Sequence, residues 1–135
     1  MRSVTLRISI DGERWLFDGQ VTHPGSAAEG LLTNVRMVNS VFEDDRPDKP
    51  DVLAGFDPDA NTSRFIEHIP DYVACGIRAF TLGLQGGTPH YEGAVNSAFN
   101  ADGTLRDGYL ARMARVIESA EASGCAIILS CFYQR

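Results

Sequence analysis

The chain has 135 residues, of which 44% are hydrophobic and 22% are charged, and its net charge is −6. These values are typical of one globular domain and exclude a disordered chain, a coiled coil and a collagen-like repeat. The acidic balance disfavours nucleic acid or an anionic membrane surface as a partner, and no apolar run reaches the ~18 residues of a membrane-spanning helix. No secretory leader is recognisable, so the cytoplasm is the default expectation.

Residues 1–25 are predicted to form an amino-terminal β-hairpin segment. Within residues 4–22, short apolar runs are separated by the pairs Asp11-Gly12 and Asp18-Gly19. An Asp-Gly pair between apolar runs favours a two-residue hairpin turn, because glycine accepts the positive φ that such a turn requires. We therefore expect two or three short antiparallel strands here.

Residues 26–135 alternate between strand and helix patterns. Strands are predicted over residues 31–38, 77–84 and 125–132, with one helix in each interval. In the first helix, Asn61, Thr62 and Ser63 are the candidate caps, Pro70 is expected to kink or divide it, and Gly76 to end it. In the second, Thr104 is the expected cap, and Gly124 is expected to end the helix.

Strands that are apolar on both faces and separated by helices indicate a parallel sheet. Three such strands with two helices would leave open sheet edges, so the predicted fold class is α/β: an amino-terminal β-hairpin followed by the first three β-strands and two helices of an incomplete (β/α)8 barrel. An open, doubly wound sheet is the structural alternative. Against it, the turn after the first strand has no glycine-rich phosphate-binding motif.

The alternation within the strands predicts which side chains face the helices. In the second strand Phe80, Leu82 and Leu84 suit the helix layer, which directs Gln85 to the opposite side at the carboxyl end, where barrel active sites lie. The same alternation directs Arg36 of the first strand inward. A guanidinium inside a barrel needs either a carboxylate partner or a polar ligand, and both interpretations stay open.

Asn39, Tyr133 and Gln134 follow the ends of predicted strands. Each is a candidate for ligand contact, with ordinary packing or loop structure as the alternative. The candidate substrate-binding residues are therefore Arg36, Asn39, Gln85, Tyr133 and Gln134. No catalytic residue, metal ligand or cofactor motif is predicted.

Several titratable groups receive structural interpretations. The three cysteines, Cys75, Cys125 and Cys131, are odd in number and predicted to be buried reduced thiols. The histidines lack partners at metal-ligand spacing. The acidic loop that starts at Glu43 is expected to be solvated.

The order of elements and several segments resemble the amino-terminal third of a (β/α)8-barrel glycoside hydrolase of the cellulase-like (clan A type) superfamily. The segments are Trp15-Leu16-Phe17-Asp18-Gly19, Asn34-Val35-Arg36-Met37-Val38-Asn39, Gly76-Ile77-Arg78-Ala79-Phe80-Thr81-Leu82, the run from Ser97 to Leu105 and the run from Ile127 to Gln134.

The resemblance implies a poly- or oligosaccharide substrate and a mechanism with two glutamates at the ends of the fourth and seventh strands, which this chain does not contain. It implies no cofactor. Arg36 would keep a catalytic carboxylate ionised, and Gln85, Tyr133 and Gln134 would contact sugar rings. Two alternatives remain: part of a barrel enzyme of another chemistry, such as an aldolase or isomerase, and a non-catalytic α/β module that self-associates through its open sheet edge. The oligomeric state is not predicted.

Overall fold

The structure is a computed structural model that describes residues 5–44, 55–86 and 96–133. Its elements in chain order are β1 (Ile8–Asp11), β2 (Arg14–Phe17), β3 (Gln20–Val21), β4 (Asn34–Arg36), α1 (Pro58–Ala74), β5 (Ala79–Gly86), β6 (Asn96–Ser97), α2 (Asp107–Ala122) and β7 (Ala126–Tyr133). They form a small antiparallel sheet and a mixed, mainly parallel sheet.

The predicted antiparallel hairpin segment is confirmed. β1, β2 and β3 form a three-stranded antiparallel sheet, and both Asp-Gly pairs occupy its turns, with φ of 59° at Gly12 and 80° at Gly19. A contact to the larger sheet runs through the loop that follows: His23 Nε2 lies 2.9 Å from Thr33 Oγ1, and Thr33 Oγ1 donates to the Gly76 carbonyl oxygen at 2.6 Å.

The larger sheet contains the three predicted parallel strands in the order β4, β5, β7. β6 adds to the carboxyl end of β5 in antiparallel register, with Ser97 opposite Gln85. The sequence does not predict β6, because two residues are too few to establish an alternation. Among the described residues the sheet does not close on itself. The prediction of an α/β fold is therefore confirmed, and this part of the chain forms no closed barrel.

The first helix starts earlier than its predicted capping residues, and the second starts later than its predicted cap. α1 begins at Pro58, because the Asp57 carboxylate accepts hydrogen bonds from the backbone N–H groups of Asp59 and Ala60, at 2.9 and 3.0 Å. The predicted caps at Asn61–Ser63 are wrong, since these residues already lie inside the helix. α1 also continues through Pro70 without dividing.

The prediction of Thr104 as the cap of α2 is also wrong. α2 starts at Asp107 with Arg106 as its N-cap residue and no capping side chain. The backbone N–H and hydroxyl of Thr104 instead bond to Asp102 Oδ1, at 3.0 and 2.6 Å, which makes a local turn before the helix. Both helices end before a glycine of positive φ, 88° at Gly76 and 71° at Gly124, as predicted.

One hydrophobic core lies between the sheet and both helices. Phe80 of β5 makes edge-to-face contacts with Phe65 and Tyr72 of α1, at centroid distances of 5.3 and 5.6 Å. The same cluster contains Leu82 and Leu84 together with Tyr109, Met113 and Val116 of α2. α1 also packs directly on α2. The side chains predicted to face the helices therefore do so, and both helices cover the same face of the sheet.

The opposite face of the sheet carries small and polar side chains on β4 and β5. Thr81 Oγ1 donates to Asn34 Oδ1 at 3.1 Å, and Gly83 is so close to Val38 that an added Cβ would lie 3.4 Å from the Val38 Cβ. On β7 this face carries Ile128, 38% exposed, and Phe132, 77% exposed, with Ser130 between them. No helix of the described residues covers this side.

The cysteine prediction is partly wrong. All three cysteines are free, but Cys75 and Cys131 are exposed, and only Cys125 is buried. Cys75 caps the last turn of α1 and Cys131 lies on the edge strand β7, which explains their exposure. None of the helices described is long and apolar enough to cross a membrane.

Candidate functional site

The carboxyl ends of β4, β5 and β7 meet along one edge of the sheet, because the three strands are parallel. The sequence places all of its candidate binding residues at this edge. Arg36 and Asn39 lie at the end of β4 and just beyond it, and both are exposed. Gln85 lies near the end of β5. Gln134 and the side chain of Tyr133 lie outside the described residues.

Arg36 and Asn39 line the same cleft, of about 370 Å³, between the end of β4 and one flank of α1. The remaining lining residues are Met37, Val38, Ser40, Asn61, Arg64, Phe65, His68 and Tyr72. The volume is within the range of small-molecule sites in proteins, about 300–1,000 Å³. The sequence analysis did not find the α1 wall, although Asn61, Arg64 and His68 recur at the helical spacing that places them on one flank.

Hydrogen bonds hold the two walls of the cleft together. The side-chain amide of Asn61 donates to the carbonyl oxygen of Asn39 at 2.8 Å. The hydroxyl of Thr62, which is fully buried, donates to the carbonyl oxygen of Ser40 at 2.9 Å. These two residues, expected to cap the helix, therefore set the width of the cleft.

The cleft is basic in an acidic protein. Arg36, Arg64 and His68 line it, and the lining residues that the structure describes include no carboxylic acid. His68 Nδ1 lies 3.0 Å from the carboxylate of Asp71 on the next turn of α1, and both of these side chains are exposed. Arg64 has no hydrogen bond or ion pair with any residue that the structure describes.

Gln85 organises the loop beside it. Its side-chain oxygen accepts hydrogen bonds from the backbone N–H groups of Ala98 and Phe99, at 3.0 and 3.4 Å. The Phe99 ring in turn stacks on Phe132, with 6.3 Å between centroids and 18° between planes. Phe132 lies opposite Gln85 in the register of β5 and β7. The sequence analysis missed this aromatic pair, because the alternation of the third strand is ambiguous.

A buried ion cluster supports the same end of the sheet from the helix side. The Glu43 carboxylate bonds to Arg106 Nη2 at 2.7 Å and to Arg112 Nη2. Arg112 is 4% exposed, and its Nε has no hydrogen-bond partner among the described residues. The expectation that Glu43 is solvated is wrong: its side chain is 22% exposed and holds two guanidinium groups. The cluster ties the β4–α1 loop to α2.

Tyr109 and Asn96 continue the polar cluster into the core. The Tyr109 hydroxyl donates to the carbonyl oxygen of Gly83 and accepts from Asn96 Nδ2, which lies 2.6 Å away. Asn96 Oδ1 accepts from the backbone N–H of Glu43 at 3.2 Å. Burial raises the pKa of Tyr109 to about 12, so its hydroxyl stays protonated at neutral pH.

The described residues contain no group of three or more His, Cys, Asp or Glu side chains that could hold a metal ion. Comparison of the chain with protein-family models, with curated proteins and with solved structures finds no match.

Proposed function

We propose that this chain is the amino-terminal part of a (β/α)8-barrel glycoside hydrolase that cleaves a poly- or oligosaccharide with two carboxylates. The observation that carries the proposal is the winding of the sheet. The parallel strands β4, β5 and β7 are neighbours in chain order, and both connecting helices pack on one face. A doubly wound sheet instead reverses its strand order and carries helices on both faces.

The uncovered face supports the same proposal. A barrel interior is filled by alternate side chains of its strands, so small residues are favoured where many strands converge. Ala79, Thr81 and Gly83 form the uncovered side of β5, and Ala79 is fully buried even without a helix over it. The bulky apolar residues of β5, Phe80, Leu82 and Leu84, are on the helix side.

The carboxyl edge supplies groups that suit carbohydrate binding. Arg36 and Asn39 offer donors and acceptors beside a cleft, and Phe132 offers an exposed aromatic face. Sugars present hydroxyl groups and apolar ring faces, which such side chains recognise by hydrogen bonds and stacking. In a retaining enzyme the two carboxylates would be ~5 Å apart on later strands, and Arg36 would hold one of them ionised.

The test is the activity of the product of the whole reading frame. The protein is incubated with soluble β-glucan, xylan, mannan and pectin, and new reducing ends are measured. We expect hydrolysis of at least one polymer, and loss of activity when either of two strand-end glutamates beyond residue 135 is changed to Gln. A reading frame without such a pair of carboxylates, or one with a strand-end lysine required for aldol chemistry, would overturn the proposal.

One observation favours the self-associating module as a second candidate. The edge strand β7 exposes Ile128, Leu129 and Phe132, by 38, 44 and 77%, and no described strand pairs with its outer edge. An uncovered apolar strand is a site for pairing with another chain. Size-exclusion chromatography with light scattering distinguishes the two. A compact dimer with one cooperative melting transition supports the module, and aggregation of the isolated chain supports the barrel part.

A further inference from the structure

We propose that β1 binds the β1 strand of a second copy of this chain in antiparallel register, so that the two three-stranded sheets become one continuous sheet. The two-fold axis of the pair passes through Ser9 of both copies. The proposal goes beyond the proposed function and does not rest on it.

The first step concerns the backbone groups of β1. β1 is an outer strand of its sheet, and no described strand pairs with its other edge. The backbone N–H of Asp18 donates to the carbonyl oxygen of Arg7 at 2.8 Å, so these two residues form a hydrogen-bonded pair. Because such pairs alternate along an antiparallel ladder, the N–H and C=O groups of Ile8 and Ile10 point away from β2. These groups are therefore available to another strand.

The second step concerns the register that uses these groups. When two β1 strands align antiparallel about Ser9, Ile8 of each copy lies opposite Ile10 of the other. Each of these pairs exchanges two N–H···O=C hydrogen bonds, so the outward backbone groups of both isoleucines are satisfied in both copies. The residues of β1 include no proline or lysine, and its register with β2 is free of bulges. β1 therefore lacks the features that protect the edges of natural sheets from pairing.

The third step concerns charge complementarity. In this register Arg7 of each copy lies opposite Asp11 of the other. Both side chains are exposed, and neither forms an ion pair with a described residue. Opposite charges that face each other on neighbouring strands stabilise the pairing, whereas like charges destabilise it. A pairing centred on Ile8 or Ile10 would separate Arg7 from Asp11, so the charges favour the register about Ser9.

The fourth step concerns the apolar face of the hairpin sheet. Ile8 and Ile10 lie opposite Phe17 and Trp15 in the register of β1 and β2, so these four side chains share one face. Ile8 is 42% exposed and Ile10 is 60% exposed. Pairing of two copies places the isoleucines of both β1 strands side by side. Removal of this apolar surface from water favours the dimer.

The experiment measures the self-association of the product of the whole reading frame by analytical ultracentrifugation over a range of protein concentrations. We expect a dimer, and we expect Arg7→Glu and Asp11→Arg each to weaken it about ten-fold, because each change turns both ion pairs into like-charge pairs. An equimolar mixture of these two variants should restore the dimer, since every charge then faces an opposite one. The double variant Arg7→Glu/Asp11→Arg should restore it for the same reason. Such recovery also shows that the variants are folded.

Two control variants test the location. Arg64→Glu has the same change of charge as Arg7→Glu but lies on α1, and it should leave the dimer unchanged. Phe132→Lys places a charge on the free edge strand β7 and should also leave the dimer unchanged. A protein that stays monomeric, an equal loss in Arg64→Glu, or a double variant without recovery would overturn the inference. A dimer that only Phe132→Lys dissociates would also overturn it and would assign the self-association to β7. Polysaccharide cleavage is measured separately and does not depend on these results.

Discussion

Replacing Glu43 by Ala tests whether the ion cluster holds the β4–α1 loop on α2. Glu43 bonds to Arg106 and Arg112, and Arg112 is 4% exposed. Removing one member of a buried ion pair costs about 3–5 kcal/mol, because the remaining charge stays buried without its partner. Glu43 is 22% exposed, and the Asp59 carboxylate still lies 3.8 Å from Arg112. We therefore expect a loss at the lower end of that range, about 3 kcal/mol.

The measurement is urea unfolding followed by circular dichroism, together with the melting temperature. For a domain of this size, a loss of 3 kcal/mol corresponds to a fall in Tm of roughly 10 °C. Glu43→Gln keeps an acceptor but removes the charge, so its loss should be about half as large. The control is Asp71→Ala, which breaks the contact with His68, whose two side chains are 60 and 78% exposed, and should cost less than about 1 kcal/mol. A Glu43→Ala protein as stable as this control would refute the reasoning.

Three further predictions rest on single residues. Burial raises the pKa of Tyr109 to about 12, so as the pH rises the unfolded chain loses the hydroxyl proton before the folded chain does. The free energy of unfolding should therefore fall between about pH 10 and pH 12. Urea titrations of the Tyr109→Phe variant should lack that part of the fall. Burial also raises the pKa of the Cys125 thiol, so a disulfide reagent should modify Cys75 and Cys131 rapidly and Cys125 only after unfolding; three equal rates would contradict this. Asp57→Ala removes the cap of α1 and should cost about 1 kcal/mol in urea unfolding, and no change would show that the cap is dispensable.

The sequence predicted the local elements well where a strong pattern spans several residues. Asp-Gly pairs determined both hairpin turns, because glycine accepts the required positive φ at little cost. The bulky alternation of Phe80, Leu82 and Leu84 determined which face of β5 packs on the helices. The sequence did not locate the helix starts correctly. Asn61, Thr62 and Thr104 can form hydrogen bonds either within a local turn or to a distant segment, and the sequence pattern does not distinguish these choices.

The positions of the candidate residues were predicted in part, and their role in binding stays a prediction. Arg36 and Asn39 were correctly placed at the carboxyl end of β4, but their cleft has a second wall on α1 that only packing brings to them. Gln85 was placed at the end of β5, yet its oxygen bonds to the loop that carries Phe99. The alternation in a strand predicts which face of the sheet a side chain lies on and where along the strand it is. It does not predict which residue that side chain contacts.

The amino-acid order alone determined the hairpin, the alternation of strands and helices, and the face of β5 that packs on the helices. Each of these features depends on residues close together in the chain. Tertiary structure decided the partners of Glu43, which joins Arg106 and Arg112 more than sixty positions away. It also decided that both helices share one face and that Arg64 and His68 meet Arg36 across a cleft. Contacts between distant segments depend on how whole surfaces pack, and no local pattern encodes that geometry.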